Sequence, residues 1–188
     1  AIMFIDIRGS TKLGEDKLPY DVLFVLNQFF AEMAGALAET NGHYAQFTGD
    51  GLMGLYGIDG NIENGCRDAV RGAAAMIQRL DDLNTRLIRE LREPLRMGIG
   101  IHTGTAIVGN MGPPSAQNFS AIGDDVNVTA RLESKSKDFG CYLVLSKAAA
   151  DLARIDASAH PFHSVDVRGR DGNVEIFAVG DPRDLSIS

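Results

Sequence analysis

The hydrophobic positions of this chain change period several times, and each change marks an element. Ile2, Phe4 and the run from Ile5 to Ile7 make a short buried strand, ended by Arg8-Gly9-Ser10-Thr11, a turn with helix-cap residues. Leu23, Leu26, Phe30, Met33 and Leu37 then recur every three or four residues. That spacing predicts an amphipathic helix from about Pro19 to Thr40, with proline in its first turn and Asn41-Gly42 as its stop. Tyr44 to Thr48 and Leu52 to Tyr56 are apolar runs around Gly49-Asp50-Gly51, the pattern of a hairpin whose glycines supply the positive φ of a tight turn. Ala69, Val70, Ala73, Ile77, Leu80, Leu83, Leu87 and Leu91 share one stripe and predict a second helix from about Asn64 to Leu91.

Beyond Pro94 the period becomes two. Leu95, Met97, Ile99 and Ile101 alternate with Arg96, Gly98, Gly100 and His102, so one face of this strand is core and the other is nearly bare. Glycines at alternate positions admit something close to the backbone, either a ligand or another chain. Thr103-Gly104-Thr105 turns into a further strand, "AIVGNMG". A Pro-Pro loop, the short run "NFSAIG", a helix from about Asp124 to Lys135, a strand "CYLVL" and a helix near Lys147 to Ala153 follow. A hairpin from residues 162–167 to 174–179 ends the series. Helices segregated from hairpin-rich β structure predict an α+β layer fold without repeats or linkers.

Composition narrows the function classes. The 188 residues are 45% hydrophobic and 23% charged, the profile of one globular domain spanning residues 1–188. A net charge of -7 with no run of Lys and Arg argues against nucleic acid, whose binding rests on phosphate neutralisation. Cys66 and Cys141 have neither metal spacing nor a CxxC pairing; they are expected as reduced thiols, which suits the cytoplasm. No uninterrupted apolar run approaches the roughly 18 residues of a membrane span, and no signal-peptide pattern is present, so no membrane contact is expected within this segment. The chain opens inside an apolar run, "AIMFIDI". The expectation is a domain excised from a longer protein, with a sensor, regulator or membrane anchor upstream.

Two constellations carry candidate chemistry. Asp6 ends the first strand and Asp50 sits in the hairpin turn; if the hairpin pairs beside the first strand, both carboxylates converge at one end of the sheet. Paired carboxylates suit a hard cation, and Mg²⁺ is commonly held by one or two of them plus substrate phosphates. The neighbouring turn from Arg8 to Thr11 leads towards a helix, so its amides form a phosphate seat. The alternative is that Asp6 is a cap and Asp50 an ordinary Asp-Gly turn residue. In "DDVNVTARLE", Asn127 and Arg131 are four residues apart and share a helix face. An amide beside a guanidinium suits a ribose oxygen and a phosphate gaining charge. The alternative is a solvated face with Arg131 paired to Glu133, Asp124 or Asp125.

A resemblance bears on both. "FIDIRGST", "QFTGDGLMGLYG", "GIGIHTGTAIVGNMG", "AIGDDVNVTARLE" and "VRGRDGNVEIFAV" resemble, in order and over nearly the whole chain, the catalytic-domain motifs of the class III nucleotidyl cyclases, the adenylate and guanylate cyclases. The resemblance implies a ferredoxin-like βαββαβ core (the nucleotide cyclase fold) with extra C-terminal strands and helices, working as a head-to-tail homodimer with sites between the subunits. It implies that Asp6 and Asp50, with the Ile7 carbonyl, hold two divalent cations, Mg²⁺ or Mn²⁺. Asn127 and Arg131 would be the transition-state pair supplied by the other subunit. Gly9, Ser10 and Thr11 match the phosphate loop, although the family's aromatic is Ser10 here. Arg168 stands where the family has a triphosphate-contacting lysine, with Arg170 as its fallback.

Gln46 and Ser120 fall on the two base-reading positions. Adenylate cyclases resembling this chain usually place lysine, with aspartate or threonine, at these two positions; guanylate cyclases place glutamate at the first. An amide and a hydroxyl can each donate or accept, so the pair fits adenine and, flipped, guanine. ATP is favoured, because Ser120 is close to threonine and no acidic group is present for the guanine N–H donors. The implied reaction is ATP to 3′,5′-cyclic AMP and pyrophosphate. The alternatives are a guanylate or relaxed-specificity cyclase, or a catalytically weak nucleotide-binding regulatory module. A diguanylate-forming palm domain is disfavoured because a GGDEF-type turn is lacking.

Overall fold

The computed structural model describes the chain apart from residues 11, 12, 14–17, 116, 168–171 and 188 and the side chains of Gln46, Phe47 and Thr48. The elements run β1 (Ile2–Arg8), α1 (Pro19–Glu39), β2 (His43–Thr48), β3 (Gly51–Leu55), α2 (Ile62–Arg86) and β4 (Arg96–His102). They continue with β5 (Ile107–Met111), β6 (Asn118–Ile122), α3 (Asp124–Asp138), β7 (Leu143–Ser146), α4 (Lys147–Ala153), β8 (Phe162–Val165) and β9 (Val174–Val179). The first six elements are βαββαβ, and their strands lie in the order β2-β3-β1-β4 with every pair antiparallel. That is the expected ferredoxin-like core. β7 extends the sheet parallel to β4, and β9 and β8 complete it antiparallel. β5 and β6 form a separate two-stranded ribbon.

Alternate side chains of a strand face opposite sides of the sheet, and β1 divides accordingly. Met3, Ile5 and Ile7 enter the main core with Phe29 and Met33 of α1, Ile77 and Leu80 of α2, and Met97, Ile99 and Ile101 of β4. Ile2 and Phe4 face the other way, against Ala45, Met53, Ala121 and Val126. Asp6 and Arg8 share the parity of Ile2 and Phe4, so they lie on that second face. α3 covers the same face further along the sheet, through Val128 and Leu132 against Val144 and Ile176.

The bare face of β4 is filled by the chain's own α3, and neither a ligand nor a second chain is needed to explain its glycines. A Cβ on Gly100 would lie 2.4 Å from the Glu133 amide nitrogen and 2.7 Å from the Thr129 carbonyl oxygen. One on Gly98 would lie 2.2 Å from Ser136 Oγ and 2.4 Å from Glu133 Oε1. The helix backbone therefore rests on the strand backbone.

Two helix readings shift. α1 buries Val25, Phe29, Met33, Ala36 and Leu37, so the core stripe runs through Val25 and Phe29, while Leu23 is 56% exposed. α1 is also the one described helix long and apolar enough, by length and composition, to cross a membrane; here its buried stripe packs in the core. α2 is capped by Asn61, whose side chain accepts from the Asn64 amide at 3.0 Å, and stops at Arg86. Leu87 and Leu91 still reach the core from the turns beyond it. Cys66 and Cys141 are buried free thiols.

Candidate active site

β1 carries Asp6 between two glycines: the antiparallel register sets it opposite Gly51 of β3 and Gly98 of β4. Asp50 occupies the turn from β2 to β3, reached through Gly49 at φ +73°, a conformation that side chains with a Cβ rarely adopt. The hairpin pairs beside β1, so the two carboxylates converge at one end of the sheet. Burial first, then the neighbouring Asp50 charge and a hydrogen bond with it, push the Asp6 carboxyl up to about 6. The Ile7 backbone N–H donates to Asp6 and opposes that rise, while the Ile7 side chain is buried in the core. Ser10 Oγ donates to Asp50 Oδ2 in a short bond, and Gly9 before it turns at φ +71° with open space on its Cβ side.

Two carboxylates pressed together in partial burial repel, and a bound cation would relieve that repulsion. Their hard oxygen donors, with substrate phosphates and water completing the shell, suit Mg²⁺ or Mn²⁺. Among the described residues no group of three or more His, Cys, Asp and Glu side chains could hold a metal ion. A cation at Asp6 and Asp50 thus needs ligands from substrate and solvent, as well as main-chain oxygens.

Asn127 and Arg131 both lie exposed on α3. Residues two apart on a helix stand about 200° apart, so this pair points away from Thr129 and Glu133, which face β4. α3 itself therefore separates Asn127 and Arg131 from the Asp6 and Asp50 of the same chain. Two of the alternative partners for Arg131 are engaged elsewhere. Glu133 turns inward to Gly98. Asp125 Oδ1 lies 3.2 Å from Nε2 of the buried His102, and its Oδ2 accepts from the Thr105 amide at 2.8 Å. Among the described residues Arg131 makes no ion pair.

Ser120 is buried on β6 opposite Gly109. β6 packs against β2 through Ala121 and Ala45, which sets the strand of Ser120 beside the strand of Gln46; β2 carries a register shift between Tyr44 and Gln46. The Gln46 side chain, Thr11, Arg168 and Arg170 lie outside the described residues.

Glu133 and Arg8 are site-flanking groups that the motif reading did not single out. Burial, then the charge of Asp6, push the Glu133 carboxyl up to about 7, with Arg8 partly opposing. Arg8 donates through Nη2 to Ser136 Oγ at 3.1 Å and, in a short bond, to the Cys141 carbonyl. The available signal was the spacing of Thr129, Glu133 and Ser136, one face of α3 matching the glycine face of β4.

The adenylate and guanylate cyclase catalytic-domain family matches residues 1–180. An adenylate cyclase of Anabaena cylindrica is 32% identical over 95% of this chain and 36% of its own length. Adenylate cyclase 1 of Rhizobium meliloti (strain 1021) is 30% identical over 94% of this chain and 27% of its own. The chain thus spans about a third of the curated relatives it matches. Among solved structures, the guanylyl cyclase Cya2 superposes with a TM-score of 0.83 at 30% identity, covering 100% of this chain and 95% of that one. The adenylyl cyclase CyaB from P. aeruginosa gives 0.81 at 26% identity, covering 95% and 91%. With the order of elements, the sheet topology and these matches in agreement, the chain belongs to the adenylate and guanylate cyclase catalytic-domain family.

Proposed function

We propose that this chain is a nucleotidyl cyclase catalytic domain converting ATP to 3′,5′-cyclic AMP and pyrophosphate between two copies of itself. The observation that carries the reading is the convergence of Asp6 and Asp50, aligned by Ser10, at one end of the sheet. In this reading Asp6, Asp50 and the Ile7 carbonyl hold two divalent cations, Mg²⁺ or Mn²⁺, which would lower the pKa of the ribose 3′-hydroxyl and bind the triphosphate.

The chain's own groups supply the rest. The main chain of Gly9, Ser10 and Thr11 receives phosphate oxygens, and Arg168 adds a cationic fork. Asn127 orients the ribose, and Arg131 meets the charge that develops on the α-phosphate. The 3′-oxygen attacks the α-phosphorus in line, the bond to the bridging oxygen of the β-phosphate breaks, and pyrophosphate departs. Because Asn127 and Arg131 face away from the carboxylates of their own chain, they serve a neighbouring copy, and a homodimer of this chain completes two sites. Exposed apolar side chains support such pairing: Ile107 and Ile122 are cross-strand partners on the β5–β6 ribbon and are 74% and 61% exposed. Upstream regulation is proposed on the same footing, since the matched relatives are longer.

Adenine is the preferred base, with the Gln46 amide and Ser120 hydroxyl reading N1 and N6; both sequence relatives named above are adenylate cyclases. Guanine is the second reading, favoured by the superposition on the guanylyl cyclase Cya2. Parallel incubation with ATP and GTP plus Mn²⁺, with chromatographic identification of the product, separates them. Cyclic AMP as the dominant product is expected; faster use of GTP overturns the substrate choice, and no cyclic product from either overturns the activity.

A further inference from the structure

A third carboxylate lies behind the Asp6–Asp50 pair, and the reaction as drawn leaves it without a role. Glu133 sits on the inner face of α3, with Oε1 2.4 Å from where a Gly98 Cβ would be, and Gly98 is the β4 partner of Asp6. Its position is fixed from below, because the Glu133 amide rests against Gly100 and the helix lies on the strand backbone. The adjacent cation offsets the Glu133 charge only in part: the Arg8 guanidinium gives its hydrogen bonds to Ser136 and the Cys141 carbonyl, and its charge opposes the rise of Glu133 less than Asp6 drives it. A half-buried carboxylate beside two others is costly to ionise, and a glutamine would occupy the same space without that cost. Burial and the charge of Asp6 already push Glu133 up to about 7. A divalent cation at Asp6 and Asp50 reverses the balance, since the extra negative charge then attracts.

We propose that Glu133 is a positioning residue of the metal centre, adding a third negative charge behind Asp6 that tightens cation binding without ligating the ion. The absence of a three-ligand group among the described residues is what sets it outside the coordination shell. The inference rests on the metal reading of Asp6 and Asp50.

The test is titration of Mn²⁺ alone into chelator-treated protein, reading free Mn²⁺ by electron paramagnetic resonance, for the wild type, Glu133→Gln, Glu133→Asp and Asp50→Asn. Glu133→Gln is expected to weaken Mn²⁺ binding about tenfold, the lower range for carboxylates outside the coordination shell, while Glu133→Asp, which keeps the charge, stays within about threefold of the wild type. Melting in chelator shows Glu133→Gln at or above the wild type. If it binds Mn²⁺ within about twofold of the wild type while Asp50→Asn loses the ion, the role of Glu133 is overturned and the metal reading stands. If Asp50→Asn binds as the wild type does, both fall. Should Glu133→Gln melt lower, folded Glu133→Asp decides: retained affinity supports the charge, and a loss equal to that of Glu133→Gln overturns it.

Discussion

Asp50 is held by a short bond from Ser10 and repelled by Asp6, so its two neighbours act on it in opposite senses. Replacing the charge and removing the alignment should therefore separate. Asp50→Asn is expected to abolish pyrophosphate release, by at least about a hundredfold, with dimerisation unchanged by sedimentation; full activity in a dimeric variant would sink the metal assignment. Ser10→Ala is expected to leave kcat largely in place and to raise the Mn²⁺ concentration at half-maximal rate several-fold, about tenfold at most. Glu133 gives a pH prediction with a definite sign. Its folded pKa of about 7 lies above the ordinary 4.5, so the folded chain holds this proton more tightly than the unfolded one. The stability this supplies is complete below about pH 4.5 and is lost as pH rises through 7, by up to about 3 kcal/mol. Thermal melts in chelator between pH 5 and 8 should show the wild type losing ground to Glu133→Gln. Parallel curves would remove the raised pKa as the cause. Of these residues, Asp6 and Asp50 were legible because carboxylates interrupt apolar β runs. Glu133 was not, since a charge on a predicted helix reads as solvated until the helix face that meets the sheet is known.

At the scale of elements, strands and helices follow periodicity, while the assignment of faces follows packing. β4 announced a bare glycine face, but nothing local in the sequence says that α3, more than twenty residues later, lies upon it. In α1, apolar residues occur on more than one side, so three- and four-residue spacing fits several stripes, and contact with α2 and the sheet selects Val25 and Phe29 over Leu23. The α3–β4 contact makes the two glycines unequal. A methyl at Gly100 meets helix backbone at 2.4 Å, whereas one at Gly98 meets the tips of Glu133 and Ser136, which can rotate. Gly100→Ala should cost about 1–3 kcal/mol in chemical denaturation, and Gly98→Ala less. Because lifting α3 also displaces Asn127 and Arg131, Gly100→Ala should lose activity even at temperatures where it remains folded. Equal stability of the two variants would show that α3 does not bear on the backbone of β4.

At the scale of the whole molecule, α3 has two faces: Glu133 and Thr129 meet the sheet, and Asn127 and Arg131 point outward. If each site takes its carboxylates from one chain and its amide and guanidinium from the other, two defects on different halves must complement. Asp50→Asn and Arg131→Ala chains should each be inactive as homodimers. Mixed and allowed to exchange, half the dimers carry one copy of each, and in those one site has lost both groups while the other is intact. Random pairing then restores about a quarter of wild-type activity per chain, one intact site in half of the dimers. The recovered rate should rise with total protein concentration, because exchange and association both precede turnover, and it should vanish for a mixture of Asp50→Asn with Asp6→Asn, whose defects fall on the same half. No recovery in the first mixture despite demonstrated heterodimers would mean that Asn127 and Arg131 serve their own chain; recovery in the second would mean that the Asp6 and Asp50 of one site come from different chains. In the first case the arrangement on α3 would have to change on substrate binding by more than a side-chain rotation, since Asn127 and Arg131 face away from the Asp6 and Asp50 of their own chain.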